Sequence, residues 1–282
     1  MSWKGLGTAL VTPFTQDGKI DFAALKRLLY KQIEGGVDYI VVLGTTGEAA
    51  TMSEVERESV RRFVVDHVAG RLTLVLGVGG NNTAAVCEQL RTIDLTGYSA
   101  ILSVCPYYNK PSQEGLYRHF CAIAEASPLP IILYNVPGRT GVNLLPETVM
   151  RIYEAHPDKI AGIKEASGNI EQIRHLIDLA KGSDLLVISG DDGLAAEIMQ
   201  AGGAGLISVL SNALPEETGR LVRTADSELQ KQLNPLILLL FKEGNPSGIK
   251  TLLNQMGLIE NVLRLPLVPN SKAVQVEIAA IV

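Results

Sequence analysis

Short runs of consecutive apolar residues alternate with longer amphipathic stretches along most of the chain. The short runs are rich in Val, Ile and Leu and end at glycine, proline or a polar residue, which is typical of buried parallel strands. The stretches between them repeat apolar residues three and four positions apart, which predicts helices. The predicted strands are residues 8–11, 39–43, 72–76, 100–104, 130–134, 160–163, 185–188 and 205–209.

Capping signals support the helices between these strands. Ser53 is followed three residues later by Glu56, which is a capping-box pattern. Asp21 precedes the apolar positions of the first helix, and Pro146 and Pro215 stand in the first turns of two later ones. Further helices are predicted at about 53–69, 83–94, 113–126, 170–181 and 193–201.

Eight strands that are each followed by a helix predict an α/β fold, a (β/α)8 TIM barrel. A doubly wound open sheet is the alternative, and it normally has fewer strands. We assign residues 1–226 to the barrel and 227–282 to a C-terminal helical extension. Helices are expected there at about 229–242, 247–256 and 272–281, a length too short for an independent domain.

Composition limits the classes of function. The net charge is −5 and no Lys/Arg cluster is present, so we expect no nucleic-acid or membrane partner. The longest run of branched and aromatic residues, 236–241, is far shorter than the roughly 20 residues of a membrane span. No secretory signal follows the first residues, and three scattered cysteines are not a disulfide framework. We therefore expect a soluble cytoplasmic protein.

In a barrel of this type the active site lies at the carboxyl ends of the strands. Lys164 follows strand six, where desolvation would favour the neutral amine that attacks a ketone to form a Schiff base. The alternative is a structural lysine paired with Glu165 or Asp191. Tyr134 ends strand five and could move protons during such chemistry, or could be a core tyrosine with one hydrogen bond.

Two loops at the same end suit carboxylate groups. Residues 44–48 read Gly-Thr-Thr-Gly-Glu, and the glycines let backbone amides approach a small carboxylate. Thr46 could also pass a proton to Tyr134. Arg139 lies in the turn-rich loop 137–141, where a guanidinium suits bidentate binding of a carboxylate. The alternatives are a plain turn and a solvated arginine.

The remaining polar residues give little support for other ligands. Strand seven runs into Asp191 and Asp192, which disfavour a phosphorylated substrate and are expected to cap a helix rather than bind Mg²⁺. Residues 77–82 lack the third glycine of a dinucleotide fingerprint. The histidines are not paired at metal-ligand spacing and lie at positions 67, 119, 156 and 175. We therefore expect no metal.

Together these residues form a pattern that resembles the dihydrodipicolinate synthase family, in the N-acetylneuraminate lyase superfamily of class I aldolases. The resemblance covers essentially the whole chain, and its most specific segments are 44–48, 106–111, 134–141 and 162–165. It implies a lyase that condenses pyruvate with L-aspartate 4-semialdehyde in lysine and diaminopimelate biosynthesis. It also implies that the enzyme needs no metal or organic cofactor.

The resemblance assigns catalytic roles to four residues. Lys164 matches the lysine that forms the Schiff base with pyruvate, and Tyr134 matches the proton donor and acceptor beside it. Thr46 matches the proton-relay residue, and Tyr108 matches a tyrosine supplied across the tight dimer interface. The family assembles mostly as homotetramers, which are dimers of dimers, and in some cases as dimers.

Substrate contacts follow in the same way. Thr45 and Thr46 match the pyruvate carboxylate site, Arg139 matches the arginine that holds the carboxylate of the aldehyde, and Gly190 and Ile207 match further contacts near the imine. A lyase for 2-keto-3-deoxy sugar acids is the alternative, although such members usually lack this arginine. A non-catalytic homologue would have lost the lysine or the tyrosine, and both are present.

One departure from the family concerns regulation. Members inhibited by lysine bind it at the dimer interface, in a region that here includes Ala50, Asn81 and Tyr107. Those members carry glutamate where this chain has Ala85, and often histidine where it has Glu54. Because Ala85 cannot pair with the ammonium of the ligand, we expect weak or absent feedback inhibition.

Overall fold

The computed structural model describes residues 3–281, which form a closed barrel of eight parallel strands. The strands follow one another around the barrel in chain order, and β8 pairs back to β1, so the open-sheet alternative is wrong and the TIM barrel is confirmed. The strands are β1 (Gly5–Ala9), β2 (Tyr39–Val42), β3 (Thr73–Gly77), β4 (Ala100–Val104), β5 (Ile131–Asn135), β6 (Ile160–Glu165), β7 (Leu186–Ser189) and β8 (Gly205–Ser208).

Helices surround the barrel, and additional helices follow the last unit. Within the described residues they are α1 (Phe22–Glu34), α2 (Glu54–Val68), α3 (Thr83–Thr92), α4 (Gln113–Ala126), α5 (Pro137–Thr140), α6 (Pro146–Ala155), α7 (Ile170–Ala180), α8 (Ala195–Gln200), α9 (Pro215–Thr224), α10 (Ser227–Phe241), α11 (Ser247–Gln255) and α12 (Lys272–Ala279). The capping box of Ser53 and Glu56 is present at the start of α2, as its sequence predicts. The loop that contains Arg139 includes the single helical turn α5, where the sequence predicts turns only.

The first strand begins three residues earlier than its apolar run predicts. It includes Gly5 and Gly7, which weaken a strand prediction because glycine has no side chain to pack. A Cβ atom on Gly7 would lie 2.2 Å from the ring of Tyr39 on the neighbouring strand. The glycine therefore makes room for a large aromatic ring inside the barrel.

Strand β6 extends further than predicted and contains the candidate lysine itself. In the register of β5 and β6, Tyr134 lies beside Lys164 and Asn135 lies beside Glu165. Successive side chains of a strand point to opposite faces. Tyr134 belongs to the apolar cluster inside the barrel, whereas Asn135 donates to Glu165 on the outside, and Glu165 in turn accepts from Gln172 of α7.

The C-terminal segment packs on the same molecule rather than standing apart. The assigned boundary at 226/227 falls between α9 and α10, while residues 1 and 282, the outer limits of the two assigned segments, lie outside the described residues. Helix α10 contacts α8 and the loop after β7, and α11 contacts the turn after β8. Lys250 on α11 forms a fully buried ion pair with Glu48 in the loop after β2.

None of the helices between residues 3 and 281 is both long enough and apolar enough to cross a membrane.

Candidate active site

A cavity of about 830 Å³ opens at the carboxyl ends of the barrel strands. It brings together most of the residues that were predicted from the sequence, namely Thr45, Thr46, Tyr134, Arg139, Lys164 and Gly190. Two predicted residues lie elsewhere. Ile207 is buried in the apolar cluster inside the barrel, and Tyr108 lies on the surface.

Lys164 is buried beside Tyr134 and, within residues 3–281, is not part of an ion pair. Its side chain is 6% exposed, and its ammonium lies 4.4 Å from the centre of the Tyr134 ring. In the described part of the chain, neither Glu165 nor Asp191 forms an ion pair with it. The alternative of a structural lysine paired with one of these carboxylates is therefore wrong. The contact with the ring is a cation–π interaction that leaves the nitrogen open to the cavity.

Behind this pair, a polar network joins β5 and β6 on the outer face of the barrel. The Asn135 side-chain amide donates to both carboxylate oxygens of Glu165, at 3.2 and 3.0 Å. The same carboxylate accepts from the Ser167 backbone amide at 2.7 Å and from Gln172. Burial raises the pKa of Glu165 above its ordinary value, against the effect of these donors. The network fixes the two strand ends that carry the tyrosine and the lysine.

Gly190 makes room for the lysine side chain. A Cβ atom at this position would lie 3.0 Å from Cε of Lys164 and 2.7 Å from Cβ of Ala166. The Gly190 backbone amide donates to the carbonyl oxygen of Glu165 at 2.7 Å, which holds the loop after β7 against β6. The absence of a side chain therefore lets the backbone approach the reactive amine closely.

The loop after β2 forms a tight turn with an open amino-terminal end. Residues 45–47 form one 3₁₀ turn, whose hydrogen bonds use the amides of Gly47 and Glu48. Leu43 and Glu48 on either side have φ angles of 57° and 54°, a left-handed conformation that costs free energy for residues other than glycine. The turn thus presents the backbone of Thr45 and Thr46 to the cavity, at the place where the sequence predicts a carboxylate site.

Asn245 is a residue of the site that was not predicted from the sequence. Its side-chain Nδ2 donates to the Thr46 hydroxyl at 2.9 Å, and its backbone carbonyl accepts from Arg139 at 3.1 Å. It lies between α10 and α11, 199 residues after Thr46. The Asn-Pro pair at 245–246 marks a turn, but no local pattern connects a turn in the C-terminal extension with the loop after β2.

The two adjacent tyrosines have different surroundings. Tyr108 is 89% exposed, and its φ angle of 75° is unusual for an aromatic residue. Its ring lines neither of the two cavities at this end of the barrel. Tyr107 lines a second cavity of about 410 Å³, and its carbonyl oxygen accepts a hydrogen bond from the Asn81 side chain at 3.0 Å.

The second cavity contains part of the region that the resemblance connects with lysine binding. Ala50 and Arg57 line it together with Tyr107. Glu54 and Ala85 instead border a shallow depression on α2 and α3. The Glu54 carboxylate is already paired with two arginines, Arg57 at 2.7 Å and Arg61 at 2.8 Å.

The two aspartates after β7 have separate structural tasks. Asp191 accepts from the Gly193 backbone amide at 2.8 Å and caps the following turn, as predicted. Asp192 is buried and accepts from the Ser208 hydroxyl and from the Val209 amide, so it ties this loop to the end of β8 rather than capping a helix. Burial raises the pKa of Asp192. In residues 3–281 no three His, Cys, Asp or Glu side chains cluster as metal ligands.

Comparison with known proteins gives one consistent family. The sequence profile of the dihydrodipicolinate synthetase family matches residues 2–282. The 4-hydroxy-tetrahydrodipicolinate synthase of Parabacteroides distasonis is 52% identical over 94% of this chain and 91% of its own length. The crystal structure of dihydrodipicolinate synthase from Thermotoga maritima superposes with a TM-score of 0.95 at 42% identity, and covers 100% of this chain and 98% of its own.

A chloride-inhibited dihydrodipicolinate synthase from Acinetobacter baumannii, crystallised with pyruvate, also superposes with a TM-score of 0.95. It is 40% identical to this chain and covers 99% of it and 98% of its own chain. The profile match, the identity and the shared barrel agree over nearly the whole sequence. The chain therefore belongs to the dihydrodipicolinate synthetase family.

Proposed function

We propose that this chain carries out the reaction of its family at the 830 Å³ cavity, with Lys164 as the residue that forms the covalent intermediate. That reaction is the condensation of pyruvate with L-aspartate 4-semialdehyde to 4-hydroxy-tetrahydrodipicolinate. The observation that carries the assignment of the lysine is its environment. A buried amine that lines a cavity beside a tyrosine, and that has no ion-pair partner among the described residues, suits attack on a ketone.

The reaction begins with formation of an imine. The neutral amine of Lys164 attacks the ketone carbon of pyruvate, and the resulting carbinolamine loses water. Tyr134 supplies and removes the protons that these steps move, and Thr46 relays them. The protonated imine then withdraws electrons, so the methyl group loses a proton and an enamine forms. The carboxylate of pyruvate binds at the turn of Thr45 and Thr46, two residues that line the cavity.

The second substrate enters beside the enamine. The enamine carbon attacks the aldehyde carbon of L-aspartate 4-semialdehyde and forms the new carbon–carbon bond. Arg139 binds the carboxylate of this substrate, since its guanidinium lines the cavity and can form two parallel hydrogen bonds. Gly190 is a contact near the imine, and Ile207 supports the site from the buried cluster that also contains Tyr134. The amine of the condensed product then displaces the lysine as the ring closes, and the free enzyme is restored.

A second copy of the chain contributes Tyr108 to the proton relay. The exposed ring of Tyr108, outside the cavity of its own chain, supports this role because it is accessible to a partner. We propose a homotetramer built as a dimer of dimers, in the cytoplasm, with neither nucleic acid nor membrane as a partner. Analytical ultracentrifugation tests the assembly, and a monomer with full activity would overturn the role of Tyr108.

The covalent step is tested by trapping with borohydride. We expect reduction in the presence of pyruvate to inactivate the enzyme and to add one pyruvyl group to the peptide that carries Lys164. Lys164→Arg should remain unlabelled, whereas the exposed Lys181→Arg should label like the wild type. No adduct, or an adduct on another lysine, would overturn the assignment. Faster cleavage of a 2-keto-3-deoxy sugar acid than condensation of the semialdehyde would assign the lyase function instead.

A further inference from the structure

Among the described residues that line the main cavity, one carries an acidic side chain. This residue is Asp191, in the loop after β7, and no other aspartate or glutamate lines the 830 Å³ space. Two cationic side chains line the same space, Lys164 and Arg139. The second substrate of the proposed reaction carries an ammonium next to its carboxylate, whereas pyruvate carries a carboxylate alone. An ammonium that leaves water needs a polar or anionic partner, and Asp191 is the carboxylate available.

The fold uses only one of the two carboxylate oxygens of Asp191. Its Oδ1 atom accepts from the Gly193 backbone amide at 2.8 Å. Within residues 3–281, its Oδ2 atom accepts no hydrogen bond, and no cation is paired with the carboxylate. The backbone is held in place, because the Asp191 amide donates to the Ser189 hydroxyl at 3.2 Å and the Asp191 carbonyl oxygen accepts from it at 3.0 Å. A fixed carboxylate with an unused oxygen can accept from an ammonium group.

The neighbouring Asp192 is a structural carboxylate and differs in every one of these respects. It is buried, it lines neither cavity, and both of its oxygens accept hydrogen bonds, from the Ser208 hydroxyl and from the Val209 amide. The loop after β7 is therefore already tied to β8 without Asp191. The remaining structural task of Asp191 is the hydrogen bond to Gly193, which an uncharged asparagine or serine also makes. The negative charge of Asp191 is thus not explained by the fold.

The order of the strands places Asp191 and Arg139 on the two sides of the lysine. β5, β6 and β7 are consecutive in the barrel; Arg139 follows β5, Lys164 lies in β6 and Asp191 follows β7. Gly190, directly before Asp191, comes so close that a Cβ atom on it would lie 3.0 Å from Cε of Lys164. In the proposed reaction, the amino group of the second substrate must reach the imine carbon on this lysine. An ammonium bound next to Gly190 lies near the place where its nitrogen later reacts.

We propose that Asp191 binds the ammonium of L-aspartate 4-semialdehyde and makes the cavity specific for an aldehyde that carries an amino group. This inference rests on the proposed function of the cavity. Arg139 binds the carboxylate on the same carbon atom from the other side of Lys164. Asp191 forms no covalent bond in this role. It determines which aldehyde binds and where the amino nitrogen lies when the ring closes.

Two aldehydes that differ only in the amino group test the proposal. Asp191→Asn removes the charge and keeps an oxygen that accepts from Gly193. We expect kcat/KM for L-aspartate 4-semialdehyde to fall about 10- to 100-fold, the usual effect of losing a hydrogen bond to a charged group. Succinate semialdehyde, which lacks the amino group, should inhibit the variant and the wild type with Ki values within about twofold of each other. An equal loss of affinity for both aldehydes would overturn the proposal.

Pyruvate provides an internal control because it carries no ammonium. In Asp191→Asn, the KM for pyruvate and the rate of borohydride labelling of Lys164 should equal the wild-type values. A change in either would show that the substitution acts by moving the loop at Gly190, which would overturn the proposal. Asp184→Asn is the matched control, since this aspartate is exposed, precedes β7 at the opposite end of the same strand and lines neither cavity. It should treat both aldehydes as the wild type does.

A second pair of variants covers a failure of Asp191→Asn to fold. Asp191→Ser also keeps an oxygen for the turn and should show the same selective loss. Asp191→Glu keeps the charge and should retain more of the preference for L-aspartate 4-semialdehyde than Asp191→Ser does. The opposite order of these two variants would overturn the proposal.

Borohydride trapping of the wild type with pyruvate separates this proposal from the proposed function. Labelling of Lys164 together with an equal loss for both aldehydes in Asp191→Asn would overturn only the role of Asp191. No labelling of the wild type would overturn the covalent mechanism on which that role depends.

Discussion

The ammonium of Lys164 lies 4.4 Å from the centre of the Tyr134 ring, and the two residues lie beside each other in the register of β5 and β6. Their relative position is therefore a property of the strand pairing and does not depend on a flexible loop. The network of Asn135 and Glu165 on the outer face joins the same two strand ends. Rigid elements hold reacting groups more precisely in place than loops do.

Tyr134→Phe removes the hydroxyl and keeps the ring that contacts Lys164. We expect kcat to fall about 100- to 10,000-fold, the usual contribution of a positioned acid or base. The KM for pyruvate should change little because the turn at Thr45 and Thr46 is untouched. Steady-state kinetics measure both kcat and KM, with a coupled assay in which a second reaction consumes the product. A loss smaller than about tenfold would show that another group moves the protons.

Tyr39→Phe makes the same chemical change at a different place in the barrel. Tyr39 is fully buried, and within the described residues its hydroxyl has no hydrogen-bond partner. Removing an unsatisfied buried hydroxyl should raise the free energy of unfolding by about 1 kcal/mol. Denaturant unfolding checks this, and kcat should equal that of the wild type. A loss of stability would mean that the hydroxyl is satisfied in solution.

Gly190→Ala tests how closely the loop after β7 approaches the lysine. The added Cβ atom would lie 3.0 Å from Cε of Lys164 and 2.7 Å from Cβ of Ala166, so the lysine side chain must move. A displacement of about 1 Å can cost roughly 100-fold in rate, and we expect a loss of this order in kcat. Slower trapping by borohydride should accompany it.

The control for this variant is Gly219→Ala on α9, where the three atoms nearest the new Cβ atom all belong to the flexible end of Arg223. We expect its kcat to remain at the wild-type value, with no loss of stability, since alanine favours a helix more than glycine does. Equal activity of Gly190→Ala and the wild type would mean that the loop moves freely away from the lysine.

The alternation of apolar runs and amphipathic stretches was sufficient to predict the barrel, because a parallel sheet buried on both faces needs apolar strands and covering helices. The predicted bounds of two strands are wrong, because the active site or the packing there requires residues that break the apolar pattern. β6 continues through Lys164 and Glu165, two charged residues that end an apolar run but keep the strand pairing. β1 begins at Gly5, where the absence of a side chain is what the neighbouring strand requires.

The candidate site was predictable as far as its residues lie at strand ends. Lys164, Tyr134 and Arg139 follow predicted strands directly, so the rule that barrel sites lie at carboxyl ends finds them. Asn245 follows no strand, and it reaches the site only because α10 and α11 fold back over the barrel mouth. A contact between residues so distant in sequence depends on tertiary packing, which local patterns do not contain.

L-Lysine should inhibit this enzyme weakly or not at all, with no effect at micromolar concentrations. A ligand ammonium needs a carboxylate, and residue 85 is alanine. The nearby carboxylates are already occupied, because Glu54 is paired with Arg57 and Arg61, and Glu48 with Lys250. Initial rates with increasing L-lysine at subsaturating pyruvate measure the effect. Inhibition at micromolar concentrations would contradict this prediction and indicate a different partner for the ammonium.

Lys250→Ala should destabilise the fold strongly. Lys250 and Glu48 are both fully buried, and the lysine also donates to the Val262 carbonyl oxygen at 3.0 Å. Removing the lysine leaves a buried carboxylate without its counter-charge, which costs about 3–5 kcal/mol. The double variant Lys250→Met, Glu48→Gln removes both charges and should recover most of that loss in denaturant unfolding. Equal stability of the single and double variants would show that the pair contributes nothing through charge.

The same pair predicts how stability depends on pH. Burial lowers the pKa of Lys250 to about 8 from its ordinary 10.5, although the Glu48 charge acts in the opposite direction. Between these two values the unfolded chain binds more protons at this lysine than the folded protein does. The contribution of Lys250 to the free energy of unfolding therefore rises as pH increases from about 8 to 10.5, and it is least favourable below pH 8. Unfolding measured across this range should show the rise in the wild type relative to the Lys250→Met, Glu48→Gln variant. Parallel curves for the two proteins would place the pKa of Lys250 at the value of a free lysine.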